Sequence, residues 1–377
     1  ANTAVGYYAG TNITTGIKNT ILGTYAGYTS LLVDNTVLLG YNAGGSGAMT
    51  AGADGTIAIG FSALQALTTG ASNIAIGFKS LTVHTTGARN IAIGDLAMTD
   101  TNAGSTSLGS ADNVFIGYTA GGGTWTDAAS NQNIGIGTNV MNGALAGALN
   151  NTAVGHQSLS SLTSGDGNIA IGYNSADAMT TGHNNVAIGL GAMGSSTNIG
   201  YAVAIGSEAL NNANATDASD SSIAVGNKAL YALVSGIGNV AVGGEALSAE
   251  DDGDHSTAIG HNALKSQTGT SGNVGNTAVG YRAATSLTSA RFSTFIGKDA
   301  GLVHTTGEYN TAIGFGAMDD TNAGSTSLGS IHNIFIGYSS GGGTWTDAAS
   351  NYNVAIGNYS MEGALDGALS NTALGYN

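Results

Sequence analysis

The residues best equipped for chemistry sit where an otherwise regular chain changes its rhythm. Trp125 and Trp345 are the only tryptophans, each followed two residues later by an acid, Asp127 or Asp347, within the shared phrase "GGGTWTDAASN". An exposed indole beside a carboxylate and Thr or Asn hydrogen-bonding groups would stack on and orient a sugar. The competing expectation is that Trp fills a widened interior, or packs against a neighbouring chain, and buries its large surface there. His84 and His304 share a place in "VHTTG", where no regularly placed carboxylate or second histidine makes a metal set, so they read as turn residues. Residues 249–255, "AEDDGDH", gather Glu250, Asp251, Asp252 and Asp254, oxygen enough for a hard cation. The equivalent stretch "TSLLVDN" at 29–35 lacks the cluster, so a solvated acidic turn is expected and no metal or other cofactor is assigned. "GLGAMG" at 189–194, with Glu208 beyond it, matches a dinucleotide fingerprint only in form, because no strand-helix-strand unit surrounds it. No nucleophile elbow, zinc signature or marked carboxylate pair is present, and the chain is read as non-enzymatic.

What positions these residues is a repeat. Counting on the Gly that ends each phrase of the type "NTAIG" gives Gly6, 23, 40, 60, 77, 94, 117, 137, 155, 172, 189, 206, 226, 243, 260, 280, 297, 314, 337, 357 and 375. That makes 21 coils, and the dominant step between them is 17 (77 − 60, 94 − 77). The first twelve steps sum to 220 (226 − 6) and then recur, so the chain holds about 1.7 copies (377/220) of a longer module. "TNAGSTSLGS" at 101–110 returns unchanged at 321–330. The chain therefore reads as one continuous array over 1–377, divided into a module at 1–220 and an incomplete second copy at 221–377.

With the Gly as position zero, −1 is Val, Leu or Ile, −3 is Thr, Ile or Val, and −2 is usually Ala. Such alternation predicts a short strand with −3 and −1 on one face, taken here as the core face, with Ile188 and Ile313 as core residues. Ala at −2 would then either permit close approach of another chain or suit a tight interior. Position +1 is Tyr or Phe in ten copies, and a small residue at +3 with Leu or Met at +4 predicts a second short strand turning back. "TTG" at 68–70, 85–87 and 305–307 supplies a turn, its Gly free to take positive φ. Position −4 is Asn in 15 of 21 copies, and coils stacked about 4.8 Å apart would align these amides in a ladder. So short a period cannot hold a helical hairpin. The expected fold is all-β, a parallel β-solenoid, extending as a rod of roughly 100 Å at that coil spacing.

Composition agrees with an ordered but unusual chain. There are 62 Gly, no Pro and no Cys, and 8% charged residues against about 25% in ordinary domains. The absence of Cys excludes disulfides and thiolate metal sites. Net charge is −15 with eight scattered Lys and Arg, which excludes nucleic acid as a partner. No apolar run of about 18 residues marks a membrane span. The chain starts at Ala1 without an initiator Met or a signal peptide, and is expected to be a segment of something longer.

The phrases "NTAIGFGAM" (310–318), "NIAIGFKSL" (73–81) and "NTAVGHQSL" (151–159) resemble the YadA-like head repeats of trimeric autotransporter adhesins and the related arrays of bacteriophage tail fibres. The resemblance covers essentially the whole chain. It implies a left-handed β-roll, a homotrimer, and an extracellular head or shaft that binds host or environmental surfaces or glycans. End-to-end continuation of the fibre is a further implied self-contact. The adhesin head has a shorter coil, and no neck, stalk or anchor is recognisable, so a virion tail fibre stands beside the cell-surface location. Two other classes compete. A polysaccharide-degrading tailspike would turn over glycans, with Asp127 and Asp347 as the residues to probe. An ice-binding solenoid would need Thr in rank on successive coils, whereas −3 alternates among Thr, Ile and Val.

Overall fold

The computed structural model describes residues 1–101, 109–126, 128–213, 221–269, 272–321, 329–345 and 348–377. It forms two compact units, Ala1–Ala187 and Ile188–Asn377. Each is a parallel β-solenoid with almost no helix; Ala51–Ala53 makes one short 3-10 turn. The common turn advances the chain by 17 positions, as from Asn73 to Asn90 or from Asn168 to Asn185.

In the first unit each coil contributes a three-residue strand that pairs in parallel and in register with the next. Thr3–Val5 pairs with Thr20–Leu22, and the pattern continues through Ile74–Ile76 on Ile91–Ile93 to Thr152–Val154 on Ile169–Ile171. In the second unit the same pairing runs from Val203–Ile205 on Ile223–Val225 to Val354–Ile356 on Thr372–Leu374. Gly253–Asp254 and Gly272–Asn273 add a small second sheet in that unit.

The strand faces are the reverse of the expected assignment. Position −2 is buried: Ala75, Ala92, Ala153 and Ala170 are fully inside, as are Ala224, Ala258 and Ala312. The flanking −3 and −1 side chains point outward, with Ile134 and Ile136 each 40% exposed, and Ile188 and Ile313 are half-exposed rather than core. So short a coil encloses little cross-section, and Ala fills the −2 place in most coils, although Ile21, Leu38 and Phe295 are buried there too. It is the −3 and −1 side chains that face away, beside Ile21 and Phe295 as beside Ala.

The returning segment is also not a strand. Positions +2 and +4 take left-handed backbone, as in Lys79 (φ 53°) and Leu81 (φ 48°). Conformations of this kind cost a non-glycine residue roughly 1–2 kcal/mol. Alternating handedness turns successive amides to opposite sides, so that Lys79 N–H donates back to Phe61 O at 2.8 Å while Leu81 N–H donates forward to Ala97 O at 3.0 Å. The +4 Leu or Met lands inside, where Leu64, Leu81, Met98, Leu159 and Leu264 are fully buried.

Two columns hold the coils in register. The Gly at zero has φ near +136°, and at Gly77 an added Cβ would lie 2.5 Å from Gly94 O. Only the absence of a side chain lets these corners stack. Along the Asn column, Asn90 donates both its backbone N–H (2.9 Å) and its Nδ2 (3.2 Å) to Asn73 Oδ1, and Nδ2 also reaches Ser110 O at 2.9 Å. The amides continue through Asn113, Asn133, Asn151 and Asn168 to Asn185, and in the second unit from Asn310 through Asn333 and Asn353 to Asn371. The ladder is buried over most of its length, so its bonds are made where water cannot replace them.

Candidate functional site

Both tryptophans are interior residues, and the expected sugar platform is corrected accordingly. Trp125 and Trp345 are fully buried. Trp125 Nε1 donates to Gly121 O at 3.0 Å, and its ring meets Phe115 edge-on at 5.8 Å; Trp345 meets Phe335 in the same way at 5.7 Å. The physical reason is visible in the neighbours. Phe replaces Ala at −2 in these coils, Gly replaces Leu or Met at +4, and a Cβ on Gly121 or Gly341 would lie 2.9 or 2.4 Å from the Phe ring. The widened coil exchanges its usual small and medium residues for Phe, Gly and Trp. Stacking on a sugar needs a free ring face, which neither indole has. Asp127 and Asp347, the other two residues of the expected site, lie outside the described residues.

His84 and His304 are also interior. His84 Nδ1 lies 3.0 Å from Thr101 Oγ1 and Nε2 lies 2.9 Å from Gly87 O; His304 repeats this with Thr321 at 3.0 Å and Gly307 O at 3.0 Å. The carbonyl requires Nε2–H to donate, which leaves Nδ1 to accept the Thr hydroxyl. Burial disfavours the charged ring and lowers both values to about 4, against a smaller opposing pull from the carbonyl. These rings bridge coils and have no free ligating nitrogen.

The acidic turn differs from its expected solvated form. Glu250 is fully buried, its Oε1 accepting the backbone N–H of Gly253 and Gly269 at 2.8 Å each, and its Oε2 accepting Gln267 Nε2. Glu250, Asp251 and Asp252 offer oxygens within 4.8 Å of one another. Burial first, and then Asp251, raises the Asp252 carboxyl above its ordinary value. Glu250 thus spends its oxygens on the chain itself, tying an ordinary coil to the widened coil that follows it. "GLGAMG" is an ordinary coil junction, with Gly189 at φ +136° and Gly191 at φ +60°. Glu208 lies 3.5 Å from Lys228 on the surface.

Three surface features remain. The first is the outward face of the strands in each unit, rows of Ile, Val and Thr at −3 and −1. The second is an aromatic border at +1: in the first unit Tyr41, Phe61 and Phe78 stack at 5.2 and 5.3 Å, with Lys79 over Phe78 at 5.3 Å. In the second unit Lys298 bridges Tyr281 and Phe315, and Phe315 stacks on Tyr338 at 5.2 Å. The third is Asp319, whose carboxyl is raised to about 6, first by burial and then by Asp320, Asp299 and Glu362. The aromatic border was legible as a +1 preference; the outward Ile rows and Asp319 were not, because both depend on which way a short segment faces.

No protein-family model matches the chain, and a search of curated proteins finds no significant match.

Proposed function

We propose that this chain is a structural and adhesive extracellular fibre segment, an adhesin head or shaft, whose units associate side by side with further copies of the chain. The observation that carries the reading is the outward aliphatic face. In the first unit ten strands at about 4.8 Å spacing, each about 10 Å long, present roughly 480 Å² of Ile, Val, Leu and Thr in ranks. This lies within the range of the largest apolar patch on typical monomers, about 300–600 Å², so it is the flat, ranked arrangement rather than the size that supports association. A thin coil buries little by itself, and burying this face against another copy supplies what the interior cannot. The trimer implied by the head-repeat resemblance is the assembly favoured here.

Surface recognition is assigned to the widened coils. The stretches 101–110 and 321–330 are identical in sequence although many positions around them differ between the two copies, which supports a shared role for those stretches. Sedimentation equilibrium of the whole chain tests the association. The expected result is a trimer for the parent and a smaller species for Ile74→Lys with Ile91→Lys and Ile134→Lys, charges on outward positions that leave the interior intact. A parent that sediments as a monomer at micromolar concentration overturns the proposed association.

A further inference from the structure

Five of the 15 tyrosines fall between residues 7 and 41, on three successive coils. Tyr7 and Tyr8 stand at +1 and +2 of one coil, Tyr25 and Tyr28 at +2 and +5 of the next, and Tyr41 at +1 of the one after. Tyr25 is the hub, with its ring centroid 5.8 Å from Tyr7, 5.6 Å from Tyr8, 5.5 Å from Tyr28 and 6.1 Å from Tyr41. Tyr7, Tyr8 and Tyr41 are exposed, and Tyr25 and Tyr28 are half-buried. The long module supplies an internal comparison, because the equivalent places in its second copy carry Asn227, Lys228, Glu245, Ser248 and His261. The backbone is unchanged, left-handed at Tyr8 (φ 56°) and Lys228 (φ 54°), and at Tyr25 (φ 59°) and Glu245 (φ 55°). The coil does not need phenols here, so folding alone does not account for the cluster.

We propose that this cluster is an oxidative modification site, where Tyr8 and Tyr25 are coupled into a dityrosine that staples two successive coils. The oxidant is hydrogen peroxide acting through a peroxidase. Each phenol gives up one electron and its hydroxyl proton, and the two ring radicals join through a carbon–carbon bond between positions ortho to the hydroxyls. Each ring then passes the hydrogen at that carbon to its oxygen, which restores both phenols, and the peroxide leaves as two waters. Geometry selects the pair. Tyr8 and Tyr25 share the +2 place on adjacent coils, and their rings lie within 18° of parallel, so like edges run side by side. Tyr25 meets Tyr7, Tyr28 and Tyr41 at 88°, 88° and 79°, and coupling there needs a ring to turn through most of a right angle. In the second unit Tyr338 and Tyr359 are 5.1 Å apart but at 65°. The coil spacing at the site is already fixed, since Gly23 N–H donates to Val5 O and Tyr25 N–H to Tyr7 O, each at 2.9 Å. Coupling therefore asks only for side-chain rotation. The chain has no Cys, so a staple between its coils cannot be a disulfide. A tie from Tyr8 to Tyr25 restricts the unfolded chain, which favours the folded stack.

The test treats the whole chain with a peroxidase and hydrogen peroxide and maps its tryptic peptides by mass spectrometry. Cleavage after Lys18 and Lys79 separates Tyr8 from Tyr25. The expected product is peptide 1–18 joined to peptide 19–79 with the loss of two hydrogen atoms, and fragmentation should place the bond at Tyr8 and Tyr25. In a mixture of chains carrying light and heavy isotopes, the joined peptides should be both light or both heavy. Tyr8→Phe and Tyr25→Phe keep a ring in place and remove a phenol, and circular dichroism checks that the fold is kept. Each is expected to lower the yield of the joined peptide at least fivefold, whereas Tyr28→Phe should leave it within twofold of the parent. Absence of the joined peptide after oxidation overturns the proposal. So does a bond that joins light chains to heavy ones, or a Tyr25→Phe yield equal to the parent's.

Discussion

Acid should loosen the solenoid through two buried imidazoles. His84 and His304 are neutral inside, with values lowered from 6.5 to about 4, while the unfolded chain titrates them near 6.5. Between those two values the unfolded state binds more protons than the folded one, so stability falls as the pH falls from 6.5 to 4 and levels off below. At about 1.36 kcal/mol per pH unit each histidine removes on the order of 3 kcal/mol. The two rings lie in different units, so each loss is felt chiefly by neighbouring coils. Asp177, Asp252 and Asp319 act in the opposite direction, because their carboxyls are raised and acidification relieves a buried charge. Isolating the histidine effect therefore needs the double variant His84→Gln, His304→Gln, which keeps polar contacts without the titration. Hydrogen exchange of the coils around residues 84 and 304, measured at pH 7 and pH 4, reads the local stability. The parent should lose protection by one to two orders of magnitude more than the variant. Equal losses in both would refute the assignment of acid sensitivity to these rings.

Other changes test the packing. Gly314→Ala places a Cβ 2.2 Å from Gly337 O at φ +136°, and should destabilise the second unit by more than about 1 kcal/mol in thermal melts. Asn133→Ala breaks the ladder between Asn113 and Asn151, leaving buried polar groups unsatisfied; a cost of about 1–3 kcal/mol is expected in denaturant unfolding. Trp125→Ala should cost about 3–5 kcal/mol through the cavity it leaves, with no specific loss of glycan binding in variants that stay folded. Asp319→Asn should raise the melting temperature at neutral pH, because the neutral amide no longer carries a charge into a partly buried site.

The period, the Gly corners and the Asn ladder were legible because each repeats the same residue under the same constraint. The facing of the strand was not. Alternation tells which residues share a side but not which side is inside, and the bulk of Ile313 beside Ala312 pointed the wrong way. The burial of Trp125 had a readable signal, Phe115 at −2 together with Gly121 at +4, two compensating changes in the same coil. His84 and Glu250 had none. Their partners lie on the next coil or across a turn, Thr101 for one and Gln267 and Gly269 for the other, and nothing local marks the contact.

The inverted strand links the fold to the proposed role. A wider coil could place Ile inside and leave Ala outside, giving a self-sufficient core and an inert surface. Here most coils admit Ala at −2 with one or two Leu or Met from the turn, as with Leu64 and Leu67 or Leu159 and Leu162. Where the coil lengthens, the interior takes Phe115 and Trp125 at once, and ordinary 17-residue coils take Ile21 or, with Gly301 at +4, Phe295, so the −2 place is filled according to what its neighbours leave free. The branched residues outside therefore act differently. They stiffen the strand, as β-branched side chains do, and they form ranks that gain most when covered by an equally flat partner. A unit built this way is stabilised along its axis by hydrogen bonds, and the association proposed above would add stabilisation across the axis, the distribution of forces a fibre requires.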